Sequence, residues 1–384
     1  MNLFEKSTVL PTITKRLIMM QPNIPRKTPM KLALLFSILL LITTLTTSGQ
    51  IVLADKAIAI KSEGFYIASV TGGTSNKGVF GQFITKNANN KILAEPATLT
   101  GGTARSIGLY INRNMPHEQS QRPVVMNIKD LNLKETVTTT GSVEGHIKLY
   151  VSFGLQKNYG TEHLVDYRSG LQYTRDLANT DALEFYLRTI LNNSLVYLNG
   201  WIKENQDNSR KLAKNVKISF SNYTEKPEGD TIYYASSRPL SWDDFQSTSR
   251  PNPRFEAQVI PGFGYNQEAK VSRGTIQVRI ELKTFIPKSA SMVNYNSKTA
   301  YNLNHEQRHF DIARIISGQF QQKILAKDLT PDTFEALINM QYLDSYRDMD
   351  TMQKAYDTET NHGTNTFIQD KWNKRIDEAL QSLP

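Results

Sequence analysis

The chain of 384 residues contains no cysteine. That absence removes a thiol nucleophile, a thiolate metal site, a disulfide framework and a lipid-modified cysteine from consideration. Histidine is scarce too, with six residues: His117, His146, His163, His305, His309 and His362. Any metal must therefore sit on a few imidazoles together with Asp or Glu. The apolar run from Leu32 to Ile42 stops at 11 residues, well short of the ~20 that span a bilayer as a helix. Strong charge of one sign is also lacking. The formal charge is +9, but the first 54 residues hold six basic residues against Glu5 alone, leaving 39 basic and 35 acidic residues for the rest. So mild a balance excludes a nucleic-acid footprint, which needs clustered basic residues on one face.

What is present begins with a leader. Basic residues up to Lys31 precede the apolar run, and small residues follow it, the layout of a secretory signal. Small side chains at minus three and minus one allow cleavage after Ala54 (Val52, Ala54) or after Gly49 (Thr47, Gly49). Export to the periplasm or the medium is the expectation; membrane contact would come only through an uncleaved leader.

Residues 55–220 read as an α+β domain. Val143, Gly145, Ile147, Leu149, Val151 and Phe153 alternate with the period of a half-buried strand, and Val216, Ile218 and Phe220 repeat it. Between them Leu183, Leu187, Ile190, Leu191, Leu198 and Ile202 recur at helical spacing. The polar run 221–230, with Pro and Gly, reads as a linker. Beyond it, residues 231–384 form a second α+β unit. Its clearest strand is Thr275 to Leu282, where Ile276, Val278, Ile280 and Leu282 alternate with polar residues. A helix is expected from about Ser297 to Ala326, another behind Thr330 and Pro331, and a terminal one on Ile368, Trp372, Ile376 and Leu380.

The chemistry lies in His305-Glu306-Gln307-Arg308-His309, an HExxH motif inside the first of these helices. Residues four apart stand one above the other on a helix, so both imidazoles can reach one ion, with Glu306 beside it as general base. On a helical wheel the two histidines share a face with Ile312 and Ile316, and Gln307, Asp311 and Arg314 fall on an opposite, polar side. Asp311 is thus expected to make no direct contact with the ligands. Zinc needs a third protein ligand and an open position. Ile312 and Ile315 occupy the places where a metzincin has its glycine and third histidine. The downstream candidates are His362, Glu335 and Glu359, with His362 favoured because neutral imidazole suits zinc and Gly363 permits a tight turn. Tyr356 is a candidate donor to a developing oxyanion, and Trp242 reads as packing.

RPLSWDDF (Arg238 to Phe245), NHEQRHFDIA (Asn304 to Ala313) and YDTETNHG (Tyr356 to Gly363), followed by Trp372, resemble the bacterial "predicted secreted Zn-dependent protease" family, otherwise carried as a domain of unknown function. The resemblance runs from about Ile232 to the C-terminus. It implies a zincin-like domain with His305, His309 and His362 as ligands and Glu306 as catalytic acid/base. Arg314 departs from that pattern, the position often being acidic in relatives. The expectation is an exported Zn2+ metallopeptidase acting on a peptide or protein, with an extended substrate added to the strand Thr275 to Leu282 if that strand is a sheet edge. The alternative is a non-catalytic envelope binding or scaffold protein whose metal is structural or absent.

Overall fold

The computed structural model describes residues 50–73, 78–115, 118, 121–224, 229–248 and 256–383. The apolar run of the leader lies outside them. Among the described residues no helix is long and apolar enough to cross a membrane. The described chain falls within one compact unit, Ser48–Pro384, of mixed α+β structure with five helices.

The first half builds a seven-stranded mixed sheet from β1 (Gln50–Ile51), β2 (Phe65–Gly72), β3 (Val79–Lys86), β4 (Ile92–Leu99), β5 (Arg122–Val137), β6 (Val143–Lys157) and β7 (Gly160–Arg175). Strand β6 is the alternating segment read from the sequence: Val143, Ile147, Leu149, Val151 and Phe153 are buried, with Glu144 and Lys148 outward. The helices of this half are α1 (Thr103–Asn114) and α2 (Ala182–Asn205). Leu187, Leu191, Leu195 and Leu198 of α2 are buried in the same core as the inner face of β6. That core encloses one ion pair. Glu135 on β5 binds Arg175 at the end of β7, at 2.6 Å, with both side chains almost wholly buried. Glu135 also accepts from Tyr173 and from the backbone N–H of Ile84 on β3, so three strands meet at one carboxylate.

The second half holds a four-stranded sheet in which β8 (Asn215–Asn222) and β9 (Thr231–Tyr233) both pair with a later strand. Next come β10 (Ala257–Gln258), β11 (Gly262–Ser272), β12 (Thr275–Pro287) and β13 (Met292–Val293). The strand read as Thr275 to Leu282 is β12, and its alternation is realised, with Ile276, Val278, Ile280 and Leu282 buried. It is not an edge. Strand β11 runs antiparallel along one side and β8 parallel along the other, so its backbone groups are already bonded and cannot take a peptide. Because β8 pairs with β12, the second sheet starts ahead of the polar run 221–230.

Helix α3 (Ala300–Leu325), with the Thr299 hydroxyl accepting from the Asn302 N–H at its start, crosses β12 through Ala313, Ile316, Phe320 and Ile324. Helix α4 (Phe334–Thr360) starts three residues after Pro331, because residues 331–333 make a turn first. Helix α5 (Thr366–Gln381) completes a layer in which Ile312, Ile315, Tyr356, Trp372 and Ile376 are packed together. α3 is therefore covered on both sides, by sheet and by helices.

Candidate metal centre

The motif lies in the second and third turns of α3, with His305, Glu306 and His309 buried. Both imidazoles meet a carboxylate from α4: His309 Nε2 lies 2.9 Å and His305 Nε2 3.3 Å from Asp357 Oδ1. Among the described residues His305, His309 and Asp357 form one group whose ligand atoms all lie within 4.8 Å of one another. Such a group can hold a metal ion.

The ring orientations are set from behind. His305 Nδ1 bonds Gln369 Oε1 of α5 at 2.9 Å, and His309 Nδ1 bonds Gln353 Oε1 of α4 at 2.5 Å. A carboxamide oxygen only accepts, so each Nδ1 carries the proton and each Nε2 faces the ion position. Tyr356, fully buried, forms the floor. Its ring stacks on His305 at 4.8 Å and meets His309 edge-on, and its hydroxyl donates to the His305 carbonyl while accepting from Gln369 Nε2. Behind the histidines and absent from the cleft lining, Tyr356 cannot donate to an oxyanion there; burial also pushes its phenol pKa well up.

The cleft has a volume of about 440 Å3 and is lined by Glu256, Glu306 and Asp357 without any Lys or Arg among the described residues, a field that favours a cation. Glu306 Oε2 accepts from the Val259 N–H at 2.9 Å, and burial raises its pKa above the ordinary carboxylate value. Burial opposes the charge on His309, but the Asp357 hydrogen bond and the nearby Glu306 outweigh it and raise the imidazole pKa. Asp357 is likewise penalised by burial, yet its bonds to the two histidines hold it well below the usual range.

Not every residue singled out in the sequence joins the group. His362 lines the cleft but is half exposed, its Nδ1 3.6 Å from Asp357 Oδ2. It sits in a tight reversal where Asn361, His362 and Gly363 all have positive φ. Glycine is required at the last place, since a Cβ there would meet the His305 ring at 3.2 Å. Glu335 pairs with Arg210 on the surface, and Glu359 accepts from the Trp372 indole; neither reaches the cleft. Asp357, missed from the sequence, stands five residues before His362 within the same YDTETNHG segment.

The side of α3 read as polar is packed against other elements. Asp311 is buried and bonded by Tyr234, Gln307 and Arg308, with no contact to the ligands. Gln307 Oε1 takes the Leu240 N–H. Leu240 belongs to RPLSWDDF, which folds as a capped turn: Arg238 grips Asp244 with two bonds of 2.6 and 2.7 Å, and Ser241 and Asp244 form a capping box. Trp242 packs on Phe245. The segment clamps the motif helix from outside.

Among curated proteins none matches this chain. A solved structure, a minor lipoprotein from Acinetobacter baumannii at 2.35 Å, aligns at 9% identity over 40% of this chain and 95% of its own, with a TM-score of 0.19. Residues 253–363, a stretch containing His305, His309, Asp357 and His362, match the family described as bacterial protein of unknown function (DUF922).

Proposed function

We propose that the protein is an exported zinc metallopeptidase of zincin-like type, with His305, His309 and Asp357 as ligands and Glu306 as general base. The observation that carries this reading is the convergence of three ligand atoms from two helices on a cleft that also holds the buried Glu306. Two atoms each about 2.0–2.1 Å from a tetrahedral zinc stand about 3.3 Å apart, and the histidine nitrogens lie 3.3 and 2.9 Å from Asp357 Oδ1. Two imidazoles and a carboxylate also suit zinc better than the all-oxygen sets of magnesium or calcium.

When bound, zinc supplies Lewis acidity, lowering the pKa of water and polarising a carbonyl. Glu306 takes the proton from the attacking water and passes it to the leaving amine. The Val259 N–H fixes the orientation of Glu306. Substrate alignment falls to β10, whose partner among the described residues is β13 and whose residues line the cleft. An extended peptide can pair along that strand. Export rests on the basic residues ahead of the apolar run Leu32 to Ile42.

The test is cleavage of an unstructured protein by the zinc-loaded chain, abolished by a chelator and restored by zinc. Glu306→Gln should keep its zinc and lose about 10²- to 10⁴-fold in turnover. A zinc-loaded wild type with no chelator-sensitive cleavage of a broad peptide library would leave a binding or scaffold protein as the reading.

A further inference from the structure

Helix α3 carries a second charged feature, on its other side. Arg314 follows His305 by nine residues, which at about 100° per residue turns it half a revolution away from the metal ligands. There it borders a separate cavity of about 440 Å3, beside the end of β8, the segment after β9 and the end of α5. Arg314 Nη1 is fully buried and has no hydrogen-bond partner. Leaving a buried donor atom of a half-buried cation unpaired is costly, and partial burial pulls the guanidinium pKa down.

Among the described residues nothing that lines the cavity neutralises this charge. No Asp or Glu among the described residues lines the cavity. The adjacent Asp311 is already shared by Tyr234, Gln307 and Arg308. The rest of the wall divides in two: Ser236, Ser237 and Thr284 bring hydroxyls, and Leu282, Leu380 and Leu383 bring an apolar surface.

We propose that this cavity binds a small organic monocarboxylate bearing an apolar group. The planar guanidinium fork matches a carboxylate through two parallel bonds, and one fixed positive charge balances one negative charge. The hydroxyls complete the carboxylate's hydrogen bonds, and the leucines bury the apolar part. Inorganic phosphate, with more charge and no apolar portion, fits such a wall less well.

The experiment is calorimetric titration of the full chain with 4-methylpentanoate, 4-methylpentanamide and inorganic phosphate. The carboxylate should bind saturably at one site per chain, the amide should give no saturable heat, and Arg314→Gln should weaken the carboxylate about tenfold or more with metal content unchanged. Unliganded Arg314→Met should melt at or above the wild-type temperature, because it removes a desolvated charge rather than a contact. Absence of saturable carboxylate binding to the wild type would overturn the proposal, as would phosphate binding as tightly. A folded Arg314→Met melting several degrees lower would make the arginine structural and overturn it too.

Discussion

The phenol of Tyr356 lies against the imidazole of His305, ring centroids 4.8 Å apart and 19° from parallel, so the first candidate metal ligand rests on an aromatic floor. Its hydroxyl touches protein on both sides and has no path to substrate. Tyr356→Phe should therefore keep its zinc and stay within a few fold of wild-type turnover, losing about 1 kcal/mol of stability with the hydroxyl. A large fall in kcat at full zinc occupancy would return Tyr356 to the chemistry.

The ligand assignment separates two residues five apart. Asp357→Ala removes one of the three converging atoms and should reduce zinc affinity by well over the ten- to hundredfold typical of an outer-shell change, whereas His362→Ala should stay within about tenfold. Zinc titration against a chromophoric chelator measures both. The reverse ranking would make His362 the third ligand.

In the first sheet, Arg175 and Glu135 are both almost wholly buried. Arg175→Met strands a carboxylate and should cost about 3–5 kcal/mol in urea unfolding. Adding Glu135→Leu should recover part of that loss, but not all, because the Tyr173 hydroxyl and the Ile84 N–H lose their acceptor.

The clamp on α3 should show itself in acid. Burial alone would raise the pKa of Asp244, but the Arg238 guanidinium and the Ser241 bonds outweigh it and hold the carboxyl below its ordinary value. A depressed folded pKa adds stability that is fully present above the unfolded value, about 3.9, and is lost as pH falls through the folded one. The melting-temperature gap between wild type and Asp244→Asn should be constant near neutrality and narrow below about pH 4. A gap independent of pH would show that the charge of Asp244 is not what holds the turn.

Periodicity made β6, β12 and the motif helix legible, because each buries one face and exposes or packs the other at a fixed interval. The remaining relationships depend on neighbours distant in the chain. Alternation in β12 identifies its buried face but cannot tell whether its edges are paired, which β8 and β11 decide. The helical wheel placed Asp311 opposite the histidines; the side it called polar is covered by Leu240 and Tyr234. Asp357 escaped because a carboxylate on a helix is ordinary until the fold sets it against two imidazoles. The local clue was the YDTETNHG segment, whose histidine drew the attention that belonged one turn earlier.

The short strand β1 bears on where a leader could be cut. Ile51 is buried in the first core, Gln50 and Ile51 pair with Thr98 and Leu99 of β4, and the Ala54 N–H bonds Glu184 of α2. Of the two cuts that the leader pattern allows, the one after Ala54 would discard a strand and leave the edge of β4 bare, and the one after Gly49 would release a chain that begins with its first strand intact. A leader removed at Gly49 would hand its newly made end straight to the sheet, where pairing with β4 would shelter it from further trimming.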